Sequence, residues 1–129
     1  MPKATVTLGA TDFEMKAQVR NHTITIDEPV DNGGQDKGPS PTEYVCIALA
    51  SCTTATFKMY INLKQLTVNK LLGEVEKITT EDKKNIFKRK ITVEGAFDAA
   101  IKERLLAIAN KCPVHKILEA ANTIETVLT

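Results

Sequence analysis

The run from Tyr44 to Ile61 constrains this chain more than any other segment, because it carries apolar side chains on nearly every side of the helix it encodes. Its start is marked chemically. Ser40 can cap, Pro41 suits the first helical position, and Glu43 can reach back to complete a capping box. Continued to about Lys64, the helix is roughly 36 Å long at the usual rise per residue. A helix apolar all round must be covered on more than one face. Ser51, Thr53, Thr54, Thr56 and Lys58 interrupt the run, so it falls short of the roughly 20 predominantly apolar residues that span a bilayer. The expectation is a buried helix of a soluble protein, with no membrane partner.

The flanking segments supply the cover. Ala4, Val6 and Leu8, then Phe13, Met15, Ala17 and Val19, then Ile24 and Ile26 alternate with polar neighbours, which predicts three strands joined as antiparallel neighbours by short breaks. Pro29 to Pro41 reads as a flexible Gly/Pro loop. Beyond the helix, Leu66–Ile78 and Ile86–Gly95 predict a long hairpin, with Phe87, Ile91 and Val93 on one face of its second strand. Asp98 can cap a helix carrying Ile101, Leu105 and Ile108 that ends near Asn110; Pro113 opens another with Val114, Ile117 and Leu118 inward; Thr123–Leu128 predicts a last strand. The order β-β-β-α-β-β-α-α-β is an α+β arrangement. With 129 residues and 43% hydrophobic content, the expectation is one domain, 1–129.

Seventeen basic side chains nearly cancel sixteen acidic ones, leaving no broad field for nucleic acid or an anionic membrane. The cluster Lys83, Lys84, Lys88, Arg89 and Lys90 lies at the hairpin tip among acidic neighbours and reads as a solvated tip or edge-protecting charge, so nucleic acid is set aside. The first residues alternate like a strand and lack the features of a secretory signal, which makes the cytoplasm the expected location. In that reducing compartment, three cysteines imply transient, functional bonding if any.

Cys52, among Ala48, Leu49, Ala55 and Thr56, reads from its surroundings alone as core packing. A desolvated thiol has a raised pKa and needs a cation or hydrogen-bond donors to act as a nucleophile. Cys112 precedes a proline-started helix, where unpaired N–H groups and the neighbouring Lys111 and Lys116 stabilise a thiolate; a small residue at a turn before proline fits that position equally well. Cys46, six positions before Cys52 on a different helical face, is assigned to the core. Cys112 and His115 stand three apart, but no four-ligand metal set accompanies them, and His22 is isolated.

The stretch Gly33-Gly-Gln-Asp-Lys-Gly38-Pro-Ser-Pro-Thr-Glu43, the later Ala48-Leu-Ala-Ser-Cys52-Thr and the still later Lys111-Cys112-Pro-Val-His115 together resemble the OsmC/Ohr family, in particular its OsmC-like, YhfA-type branch, over nearly the whole chain. The resemblance implies antiparallel sheets wrapped around a long central helix in an intertwined homodimer with two sites at the subunit boundary. It also implies thiol-dependent reduction of organic hydroperoxides in oxidative stress defence, with Cys52 as the peroxide-attacking thiol and Cys112 as the resolving one. A thiol or lipoyl-type dithiol would be the reductant, and neither metal nor flavin is implied. The family holds its reactive thiolate with an arginine and a glutamate. Arg20 is the candidate for the first and Glu43 for the second, although in the peroxidase branches the glutamate follows the proline directly and here Thr42 stands in that place. The alternative reading is a noncatalytic small-ligand-binding or redox-sensing protein on the same fold.

Overall fold

A computed structural model describes all 129 residues, and their packing falls into two compact units, Met1–Val45 and Cys46–Thr129. The first is a three-stranded antiparallel meander of β1 (Thr5–Leu8), β2 (Met15–Val19) and β3 (His22–Ile26). The register pairs Leu8 with Met15 and Val19 with His22, so Arg20 and Asn21 form a two-residue turn, with Arg20 at φ 53° in the left-handed region. The alternation puts Ala17 and Ile26 on the buried side.

Beyond β3, the expected flexible loop is held in place. The carboxylate of Asp27, 1% exposed, accepts backbone N–H groups from Glu28 (2.8 Å), Gln35 (3.2 Å) and Lys37 (3.1 Å). Burial works against the charge, but these N–H donors outweigh it and hold the carboxyl below its ordinary value. One turn of 3-10 helix, Val30–Asn32, lies inside the loop. At Gly34 any Cβ would collide with the Glu28 carbonyl, so the loop closes only with glycine there.

Helix α1 (Pro41–Leu63) begins in the first unit and continues through the second. The capping box forms: Ser40 N–H donates to Glu43 Oε1 at 2.9 Å, and Glu43 N–H to Ser40 Oγ at 3.4 Å. The helix ends by putting Gln65 at φ 53°, with Leu66 N–H reaching the Ile61 carbonyl and Gln65 N–H that of Asn62. That C-terminal cap consumes Leu66, so the next strand starts later than the apolar pattern predicts.

In the second unit, β4 (Val68–Thr79) and β5 (Asn85–Gly95) form the long hairpin, pairing Val75 with Arg89 and Gly73 with Ile91. Helix α2 (Ala99–Ala109) is capped by Asp98, which accepts from Ile101 N–H at 3.0 Å. Phe57 and Ile61 of α1 and Leu105 and Ala109 of α2 form the core, with Leu71, Ile91 and Val93 of the hairpin packed on it. Gly73 sits where β4 crosses α1, and a Cβ there would meet Thr54 Oγ1 and the Ala50 carbonyl. The short α3 (Pro113–Glu119) follows.

Two expectations are corrected. Thr123–Leu128 forms no strand, because period-two alternation is insufficient without a neighbour that completes the ladder, and the two sheets consist of β1 to β5 alone. Helix α1 is, by length and composition, apolar enough to cross a membrane despite its hydroxyls. Leu49, Thr53, Phe57 and Ile61 nevertheless line a stripe buried within the protein, while Ile47, Met59 and Leu63 are exposed at 48%, 71% and 76%.

Candidate active site, a buried thiol pair

Sixty positions apart in sequence, Cys52 of α1 and Cys112 meet side chain to side chain in the second unit, with no disulfide between them. Cys112 is fully buried. It caps α3, with φ −57° and ψ 126°, and its sulfur accepts the His115 N–H at 3.5 Å. Pro113 sets this geometry by occupying the first helical position without an N–H. Cys52 is half-buried one turn before Thr56, whose hydroxyl donates to the Cys52 carbonyl at 2.8 Å.

The two thiols are not equivalent. Burial pushes Cys52 up, and its S–H points to the Cys112 sulfur, which raises it further. Burial also opposes ionisation of Cys112, but the neighbouring Cys52 thiol, the His115 N–H that donates to its sulfur, the Thr53 hydroxyl and the Val114 N–H outweigh it and bring it below the ordinary thiol value. A negative charge on the pair therefore rests mainly on Cys112, with Cys52 donating to it.

The environment includes Arg89 and Thr53, neither of which the sequence singles out as part of a site. Arg89, expected at the solvated hairpin tip, instead turns inward from β5. Its guanidinium donates to Thr53 Oγ1 at 3.1 Å, to the Ala109 carbonyl at 3.3 Å and to Asn110 Oδ1 at 3.4 Å. Thr53 is fully buried on the stripe Leu49-Thr53-Phe57-Ile61, and its hydroxyl also lies 2.8 Å from the Leu49 carbonyl. A signal for both was available. Arg89 has the same parity as Phe87, Ile91 and Val93, and Thr53 falls four residues from Leu49 and from Phe57; each is a polar residue in an apolar row. Lys84, by contrast, does belong to the tip and pairs with Asp82 at 3.6 Å.

Arg20 and Glu43 lie in the first unit. The Arg20 side chain makes no ion pair, and its backbone carbonyl accepts from Gln18 Nε2 at 2.8 Å. The Glu43 carboxylate is engaged by the Ser40 N–H, which holds its carboxyl below the usual value. Cys46 is a partly buried free thiol. His115 Nε2 pairs with Glu119 at 3.0 Å, and no group of three or more His, Cys, Asp or Glu side chains stands close enough to hold a metal ion. Beside the thiols, Leu49, Ile86, Phe87, Arg89, His115 and Leu118 border an open cavity of about 340 Å³.

Comparison with known proteins places the fold. A solved structure from Psychrobacter arcticus, named for osmotic stress induction and detoxification response, is similar at 26% identity over 91% of this chain and 88% of its own, with a TM-score of 0.78. An OsmC-like protein from Mycoplasma pneumoniae is similar at 25% identity over 92% and 87%, with a TM-score of 0.76. The fold is also that of an organic hydroperoxide resistance protein from Legionella pneumophila, at 15% identity over 92% and 88% and a TM-score of 0.65. No curated protein matches the chain. The family described as OsmC-like protein matches residues 34–127, and the chain belongs to that family.

Proposed function

We propose that the protein reduces organic hydroperoxides with a two-cysteine cycle in which Cys52 attacks the peroxide and Cys112 resolves the product. The observation that carries this reading is the meeting of the two thiols, remote in sequence and unbonded, side chain to side chain. Membership of the family, and the names of structural neighbours as organic hydroperoxide resistance proteins, support a redox role.

The chemistry balances within the pair. When the shared proton sits on Cys112, the Cys52 thiolate attacks the terminal peroxide oxygen; an S–O bond forms, the O–O bond breaks, and the departing alkoxide takes that proton to become the alcohol. Cys52 is then a sulfenic acid and Cys112 a thiolate. Cys112 attacks the Cys52 sulfur, forming S–S and expelling hydroxide, which becomes water on protonation. An external thiol or lipoyl-type dithiol restores both sulfurs by exchange. Leu49, Ile86, Phe87 and Leu118 on the border of the adjacent cavity offer an apolar side to an organic tail, among the polar Asn85, Arg89, His115 and Glu119. In this reading Arg20 supplies the cation for the Cys52 thiolate and Glu43 orients it, within a homodimer in the cytoplasm. The exposed Ile47, Met59 and Leu63 on α1 support a second copy as their cover.

Stopped-flow reaction of the reduced protein with cumene hydroperoxide and with hydrogen peroxide tests the cycle. Two thiols should be lost rapidly, faster with the organic peroxide; Cys52→Ser should abolish the first step, and Cys112→Ser should leave it fast while Cys52 accumulates as sulfenic or higher acids. Equal initial rates for Cys52→Ser and the unaltered protein would defeat the assignment. The upward shift of Cys52 favours a second reading, a slow redox sensor, which the same experiment identifies by disulfide formation without sustained turnover.

A further inference from the structure

We propose that Arg89 and Thr53 are positioning residues for Cys112, the guanidinium fixing the Thr53 oxygen so that its hydroxyl hydrogen turns to the Cys112 sulfur, and anchoring the α2–α3 turn that carries this cysteine. The proposal rests on the reading of Cys112 as the resolving thiol.

Three observations meet here. First, the guanidinium holds both sides of the pair at once: it donates to Thr53, the neighbour of Cys52, and to the Ala109 carbonyl and Asn110 side chain, which lead into Cys112. An arginine suits this task because its planar fork presents several donors in fixed directions, whereas lysine offers a single point. Second, a threonine hydroxyl has one hydrogen and two lone pairs. With Arg89 occupying one lone pair at 3.1 Å, the hydrogen is donated to the Leu49 carbonyl at 2.8 Å in the resting protein, and the neighbouring Cys112 sulfur is the alternative acceptor. The Leu49 carbonyl is already served by the helical N–H of residue 53, so the hydroxyl can leave it at little cost when a thiolate forms. Third, the two residues each break an apolar row, Thr53 on α1 and Arg89 on β5. A polar group in such a place is costly unless paired, and these two pair with each other.

The groups facing Cys112 are otherwise the Cys52 thiol from α1 and, on its own helix, the backbone N–H groups of Val114 and His115. The His115 imidazole is turned to Glu119. Lys111 and Lys116 are exposed, so Arg89 brings the inward-turned positive charge, delivered through the Thr53 hydroxyl. It favours the thiolate in the step that forms the Cys52–Cys112 bond and expels hydroxide from the Cys52 sulfenic acid.

The test is a thiolate titration by absorbance near 240 nm of the full-length protein carrying Cys46→Ser and Cys52→Ser, in which Cys112 is the only thiol and the serine introduced at position 52 keeps a hydroxyl donor. Its midpoint should lie below the ordinary thiol value of about 8.5; a midpoint at or above it overturns the proposal without any further variant. Thr53→Val and Arg89→Met should each raise the midpoint by about one pH unit, a tenfold loss of thiolate near neutrality, and together by little more than either alone. Thr53→Ser should restore it. A folded Thr53→Val or Arg89→Met protein with an unmoved midpoint refutes the relay. The titration uses no peroxide, so failure of the hydroperoxide reading leaves its outcome standing. In the protein with all three cysteines, Arg89→Met should slow disulfide formation from the Cys52 sulfenic acid about tenfold, timed separately from the first oxidation, and shift its pH profile upward; normal resolution with an unmoved profile sinks the relay alone.

Discussion

Oxidation of the thiol pair should stabilise the fold substantially, and the size follows from where the two sulfurs lie. A bond between Cys52 and Cys112 closes a loop of about sixty residues that contains β4, β5 and α2, and the chain entropy so removed from the unfolded state is worth about 4 kcal/mol. Because the side chains already meet in the reduced protein, bond formation should require little rearrangement to offset that gain. For a chain of 129 residues, 4 kcal/mol corresponds to a rise of roughly 15 °C in the unfolding midpoint. The assay is thermal unfolding followed by circular dichroism in a Cys46→Ser background, reduced and after one equivalent of cumene hydroperoxide, at equal protein concentration because association also moves the midpoint. An oxidised form that contains the bond yet melts at or below the reduced form would refute the reasoning. It would mean that the sulfurs join only after α1 or the α2–α3 turn is distorted, so that the resting geometry is not the reactive one.

Further perturbations probe each unit. Leu105→Ala removes a side chain 2% exposed in the core with Phe57 and Ile61 and should cost about 3 kcal/mol in urea unfolding. Gly73→Val drives a side chain into Thr54 and the Ala50 carbonyl and should destabilise by roughly 1–3 kcal/mol, measured the same way. Asp27 ionises more readily in the folded protein than at its ordinary value of 3.8, so its support is fully present above that pH and is lost as pH falls through the lower folded value. Amide exchange at Gln35 and Lys37, followed by NMR, should accelerate across that window, and Asp27→Asn should accelerate it even at neutral pH.

The elements visible in the sequence were those whose signals are local. Ser40, Pro41 and Glu43 mark the start of α1 because a capping box is written in four consecutive residues; Asp98 and the Cys112-Pro113 pair mark the later helices for the same reason. Alternation located β1 to β5 to within a few residues. The meeting of Cys52 with Cys112 is a long-range contact that no periodicity encodes, and the resemblance of the flanking motifs was its only trace. Arg89 is masked along the chain by the exposed Lys88 and Lys90, while its parity with Phe87 and Ile91 turns it inward. Thr53 reads as an interruption of an apolar run, although it lies on the buried stripe of α1 and its oxygen accepts from the Arg89 guanidinium. Thr123–Leu128 has the alternation of a strand without the partner that would make it one.

The most direct test of the central claim is peptide mapping by mass spectrometry after reduced protein is treated with one equivalent of cumene hydroperoxide and its remaining thiols are blocked. The result predicted is a single cross-linked species joining the Cys52 and Cys112 peptides of one chain, with Cys46 recovered as a blocked free thiol. Recovery of Cys52 and Cys112 as separate blocked thiols, or a bond that uses Cys46 instead, would contradict it.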